Sequence, residues 1–108
     1  MPSIADSTPL WRPDPATVGD TRMAKFMQST GHGSYEELWR WSVDQPAAFW
    51  SSVWDFCGAV GEKGTTVLAE GDRMPGARWF PEARLNYAEN MLQRRDDSDA
   101  LVFWGEAK

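Results

Sequence analysis

Residues 34–57 read SYEELWRWSVDQPAAFWSSVWDFC, two consecutive helical patterns with almost nothing between them. Ser34 followed three residues on by Glu37 is a capping box, in which the hydroxyl accepts from a first-turn amide and the carboxylate reaches back. Tyr35, Leu38, Trp39 and Ser42 then share one face at helical spacing, and Trp41, off that stripe, is expected to pack elsewhere or stand partly exposed. Asp44-Gln-Pro46 ends this helix and opens the next, because a first turn has no use for the N–H that proline lacks. The next helix carries Phe49, Trp50, Val53, Trp54 and Cys57, a broad apolar face. So short a connection forces the two helices into an angled or antiparallel pair.

Upstream, Gly31 stops a helix expected over Val18–Thr30, since glycine enters the left-handed conformation without a Cβ penalty. Thr17 is its expected cap, Asp20 lies near the positive helix end, and Met23, Phe26, Met27 and Thr30 share its inner face. Residues 1–16 hold four of the seven prolines, Pro2, Pro9, Pro13 and Pro15, and read as an extended arm. Trp11 within it is expected as an anchor, most simply packed on its own domain.

Downstream, residues 58–76 hold five of the nine glycines, with a short strand expected at Thr65–Leu68. Arg78-Trp-Phe80 before Pro81 reads as extended. Asn86 caps a fourth helix with Glu89 in its first turn and Ala88, Met91 and Leu92 on its inner face. Asp96-Asp-Ser-Asp99 is a turn, and Ala100–Trp104 is a continuous apolar run expected as a strand covered on both faces. No partner for that strand is visible in the 108 residues, so its sheet is expected to continue past Lys108. The expected fold is therefore mostly α, with about four helices and a C-terminal strand: an arm over 1–16, a helical domain over 17–95, and a turn and first strand over 96–108.

The chain is short of core, because a domain of this length buries only roughly 60–70% of the surface its unfolded form exposes. Hydrophobic residues make up 42%, which suits a globular domain and excludes a disordered tail. Eleven basic residues against 16 acidic ones leave a net charge of −5. Residues 1–30 balance three against three, residues 31–60 set four acids against Arg40, and residues 61–108 set nine acids against seven bases. A basic patch is thus missing from every stretch, which argues against nucleic acid and against an anionic membrane surface. A single cysteine forms no internal disulfide, the first residues lack a signal-peptide pattern, and no apolar run approaches the ~20 residues of a membrane span. The expected location is the cytoplasm.

A search for chemistry assigns no catalytic, cofactor-binding or metal-ligating residue. His32 and Cys57, the single histidine and the single cysteine, lie 25 positions apart and make no ligand cluster. His32 reads as a solvated loop residue and Cys57 as a small core hydrophobe. Gly61-Glu-Lys-Gly-Thr-Thr66 has the composition of a phosphate loop but the order Lys63-Gly64-Thr65, and no helical pattern follows, so it is not expected to bind phosphate. Glu36 and Glu37 belong to a helix start, Asp96, Asp97 and Asp99 to a solvated turn, and Asp55 to a helix face. Trp39, Trp41, Trp50 and Trp54 suggest a ligand platform, yet a domain short of core is expected to fill it with large rings.

Two stretches carry a resemblance: residues 35–56, YEELWRWSVDQPAAFWSSVWDF, and residues 74–90, MPGARWFPEARLNYAEN. Together they resemble the N-terminal region of the acetoacetyl-CoA synthetase (acetoacetate–CoA ligase) family, within the AMP-forming, adenylate-forming ligases. The likeness runs from Pro9-Leu-Trp-Arg-Pro13 to the final apolar run, and Arg84–Asn90 is similar to the acetoacetyl branch rather than to acetyl-CoA synthetases. Glu82 stands where the resemblance implies a glycine.

The resemblance implies a two-step reaction, in which a carboxylate attacks ATP to give an acyl-adenylate and the CoA thiol then displaces AMP. ATP, Mg²⁺ and CoA are implied for the full-length enzyme and none for this segment, because the family's catalytic motifs lie in later sequence. The segment would be a helical extension of a large α/β enzyme, and its implied partner is the downstream adenylation domain of its own chain. Two alternatives stand beside this: a ligase of the same superfamily for another short acid such as acetate, and a stand-alone tryptophan-rich interaction module.

Overall fold

The computed structural model describes residues 8–106, in two compact units that divide between Phe56 and Cys57. The first unit is helical: α1 (Pro15–Asp20), α2 (Arg22–Thr30), α3 (Tyr35–Asp44) and α4 (Pro46–Phe56). The second holds β1 (Leu68–Ala69), β2 (Arg78–Trp79) and α5 (Tyr87–Met91).

The first helix starts earlier than Thr17 and breaks at Thr21. Asp14 caps α1, its carboxylate accepting from the Thr17 amide at 2.9 Å and the Thr17 hydroxyl at 2.6 Å, with Pro15 in the first turn. An aspartate cap followed by proline is a stronger start than Thr17 alone. Thr21 adopts an extended backbone, donates its hydroxyl to Val18 O at 2.8 Å, and accepts from the Ala24 amide at 3.1 Å. One hydroxyl thus closes α1 and opens α2. Gly31 ends α2 with φ +77, as its composition requires, and the His32 amide returns to Met27 O. The arm expected over residues 1–16 is helical from Pro15, Trp11 is exposed instead of packed, and residues 1–7 lie outside the described residues.

Ser34 caps α3, accepting from the Glu37 amide at 3.2 Å, while Glu37 reaches back to the amide of Gly33 at 2.8 Å. The inner face of α3 is rotated from the expected stripe. Leu38 is buried at 4% and Trp41 is half-buried, whereas Trp39 is 53% exposed. Leu38, Trp41 and Ser42 are also one helical face, and its Trp41 meets Phe49 and His32. On α4, Trp50 is 45% exposed, against its expected burial, and Trp54 is half-buried. The core of the unit is a train of aromatic rings. Phe26, 7% exposed, lies 5.0 Å from Phe56 and 5.9 Å from Phe49 between ring centroids; Phe49 meets Trp41 edge-on at 5.6 Å. The Arg22 guanidinium stands 5.3 Å from the Phe56 ring, within cation–π range.

In the second unit β1 and β2 pair antiparallel, Leu68 opposite Trp79 and Ala69 opposite Arg78, so the strand expected at Thr65–Leu68 begins only at its last residue and runs one further. Glu70 ties the connecting loop through Arg73 at 2.8 Å and Arg78 at 3.6 Å. A second bridge joins Glu62 to Arg84 through reciprocal backbone bonds of 2.8 and 2.9 Å. Asn86 caps α5, accepting from the Glu89 amide at 3.1 Å. The expected inner face of Ala88, Met91 and Leu92 is exposed; instead Asn90 faces inward, its amide giving 2.8 Å to Val60 O and accepting 2.8 Å from Val60 N. Cys57 is exposed, not core. Ala100–Trp104 forms no strand, because a strand exists only with a neighbour to complete its ladder, and among the described residues the sheet consists of β1 and β2 alone. Leu101, Val102, Phe103 and Trp104 are 66–96% exposed.

Candidate functional site

His32 is not a free loop residue. Its ring stacks on Trp41 with centroids 4.7 Å apart, and Nδ1 lies 2.9 Å from the Thr30 hydroxyl. An open cavity of about 510 Å³ beside this stack is lined by His32, Glu36, Glu37, Arg40, Trp41 and Asp44. Its charges are largely engaged: Arg40 donates to Glu36 at 3.0 Å, one turn along α3, and Glu37 holds the Gly33 amide. These contacts are a helix start and an exposed ion pair along one turn of α3. Asp55 and Cys57 are exposed, and among the described residues no three His, Cys, Asp or Glu side chains gather to hold a metal. Asp96 is engaged in its own turn, its carboxyl held below the usual range by hydrogen bonds from Ser98 and then from Arg94.

Among the described residues, the most strongly organised polar group lies in the second unit, in the loop whose order argues against a phosphate site. Glu82 Oε2 accepts from the Thr65 amide at 2.7 Å, the Thr65 hydroxyl at 3.0 Å and the Thr66 amide at 3.1 Å. Glu82 Oε1 accepts from the Thr66 hydroxyl at 3.0 Å. Gly64 has φ +80, and a Cβ there would stand 2.8 Å from Glu82, so the position needs glycine on both counts. The turn at Phe80, φ +44, closed by the Ala83 amide on Phe80 O, precedes Glu82. Nothing in the sequence pairs positions 65 and 82. The signal that was legible was Gly64-Thr-Thr66, a backbone able to turn its amides to one side with two hydroxyls beside them.

The Thr65 amide first, then the Thr66 amide and the two hydroxyls, hold the Glu82 carboxyl at a pKa of about 2, down from 4.5. A depressed carboxyl favours the folded loop above pH 4.5, and that contribution fades as pH falls from 4.5 through about 2. A ¹³C titration of the Glu82 carboxyl should therefore show its midpoint near 2; a midpoint near 4.5 would mean that the hydrogen bonds do not form in solution.

Compared with known proteins, residues 35–91 match the family model described as acetyl-coenzyme A synthetase N-terminus. The chain is 45% identical over 106 residues to an acetoacetyl-coenzyme A synthetase of Rhizobium meliloti, covering 93% of this chain and 16% of that protein. It is 35% identical over 112 residues to an acetoacetyl-CoA synthetase of Danio rerio, covering 97% and 17% respectively. A malonamoyl-CoA synthetase, vrtB, of Penicillium aethiopicum is 35% identical over 91 residues, covering 77% of this chain and 12% of that protein. No solved structure matches. The chain thus spans about a sixth of the length of the curated relatives it matches most fully.

Proposed function

Because the chain belongs to the acetyl-coenzyme A synthetase N-terminus family, we propose that it is the N-terminal segment of an AMP-forming ligase that joins acetoacetate to CoA. The observation that carries this is the 45% identity to an acetoacetyl-coenzyme A synthetase over nearly all of this chain. A carboxylate is a poor acyl donor until one oxygen becomes part of a good leaving group. In this reading ATP supplies that group as an acyl-adenylate with release of pyrophosphate, and the CoA thiol then displaces AMP.

In this proposal ATP, Mg²⁺ and CoA are held by sequence outside these 108 residues, and no step is assigned to a residue of this chain. The four-donor cradle at Thr65 and Thr66 is occupied by Glu82. Its role is to dock. Two surfaces support that: Trp39, Val43 and Trp50 stand exposed on α3 and α4, and residues 101–104 are apolar and unpaired in any described sheet. Apolar groups left in water in this way are what a covering domain removes from solvent. No helix among the described residues is long and apolar enough to cross a membrane, and the proposed site of action is the cytoplasm, where ATP and CoA are present.

The match to a malonamoyl-CoA synthetase favours a second reading, in which the acid is another short carboxylate. Acid-dependent ATP–pyrophosphate exchange separates the two. The complete ligase should exchange with acetoacetate above acetate and malonamate, and the 108-residue chain alone should stay at the level of a boiled control. Exchange by the isolated chain would refute the docking role; preference for malonamate would move the proposal to the second reading.

A further inference from the structure

We propose that residues 64–66 form a carboxylate-binding site whose ligand is the chain's own Glu82, and that removing this side chain opens the site to an external carboxylate. The inference stands apart from the ligase reading, since it rests only on the geometry of the second unit. Thr65 and Thr66 converge four donors on one group at 2.7–3.1 Å, three on Oε2 and one on Oε1. Both oxygens are engaged, so the cradle has the width of an oxyanion and not of a point charge. Two of the donors are consecutive backbone amides fixed by the fold of the loop, an anion-receiving arrangement that stays in place whether or not the ligand is tethered. Gly64, where a Cβ would stand 2.8 Å from both Cβ and Oε2 of Glu82, is where the backbone comes close to the ligand.

The base of the cradle is held independently of the Glu82 side chain. The Glu62 amide donates to Arg84 O at 2.8 Å and the Arg84 amide to Glu62 O at 2.9 Å, which pins the loop before Gly64, and the Phe80 amide donates to Val67 O at 2.8 Å, which pins it after Thr66. Gly61, at φ +152, lets this approach happen: a Cβ there would stand 2.6 Å from Arg84 O. Taking away the carboxylate thus leaves two aligned backbone amides, with two rotatable hydroxyls beside them, on a loop still clamped at its root. An intramolecular carboxylate outcompetes a dissolved one through its effective concentration, which is why the site is closed in the native chain.

The test is an amide-resolved NMR titration of Glu82→Gly in the 108-residue chain with sodium acetate, against sodium chloride at matched ionic strength. Loss of the side chain should move the Thr65 and Thr66 amide protons upfield. Acetate should return them toward their native positions, saturating on the order of tens of millimolar for an exposed, charge-assisted site. Chloride should leave them unmoved, and the native chain and Glu82→Gln, whose amide fills the cradle, should not respond to acetate. Three results would overturn the proposal. Acetate and chloride acting alike would show simple screening. Loss of the native Glu62 and Arg84 amide positions in Glu82→Gly would show that the cradle does not stand without its ligand. Inorganic phosphate moving the two amides at lower concentration than acetate would reassign the site to a tetrahedral oxyanion.

Discussion

Phe26→Ala is expected to cost about 3–5 kcal/mol of stability, the range for a large aromatic removed from a core. Phe26 is one of two buried hydrophobic side chains among the described residues, and Phe49 and Phe56 both rest on it. Small domains have only about 5–15 kcal/mol in total, so the variant should lose most of its helical signal or melt far earlier. Trp50→Ala, although it deletes a larger ring, should cost about 1 kcal/mol, because Trp50 is 45% exposed and meets Phe49 edge-on. Thermal unfolding followed by circular dichroism at 222 nm compares the two. A Trp50→Ala variant as damaged as Phe26→Ala would restore the inner face that the sequence suggested for α4.

The second large effect concerns residues 101–104. In the 108-residue chain their amides should exchange within about tenfold of an unstructured peptide, since opening a segment without ladder bonds costs close to nothing. Within the complete ligase proposed above, the same amides should slow by orders of magnitude as the run gains a neighbour and its four apolar side chains leave water. Slow exchange in a monomeric 108-residue chain would defeat this, because the segment would then have found partners at home.

Much of the local structure was readable because its causes are local. Ser34, Asn86 and Gly31 act within four residues of themselves, and each does what its chemistry dictates. The break at Thr21 was missed because a threonine inside a helical pattern gives no warning that its hydroxyl will serve two helices. The inner face of α3 was misread because Leu38 belongs to two overlapping stripes, and only Phe49 and His32, brought in by other elements, choose between them. The cradle at Thr65 and Thr66 was invisible for a stronger reason: its ligand sits 16 and 17 positions away, and no periodicity connects them. The expected strand at 100–104 was read from hydrophobicity, which reports a wish for burial but says nothing about who supplies the hydrogen bonds.

The amide of Asn90 meets Val60 with one donor and one acceptor, as a neighbouring strand would. A helix of five residues has no stability of its own, since nucleation outweighs so few bonds. Where α5 begins is therefore written in Asn86, but whether it exists at all is written 30 positions earlier, in a peptide group that any residue except proline could provide. Mutational tolerance should be lopsided as a result. Val60 should accept most substitutions, lengthening the intervening loops should cost only the slow logarithm of chain closure, and position 90 should accept almost nothing but asparagine.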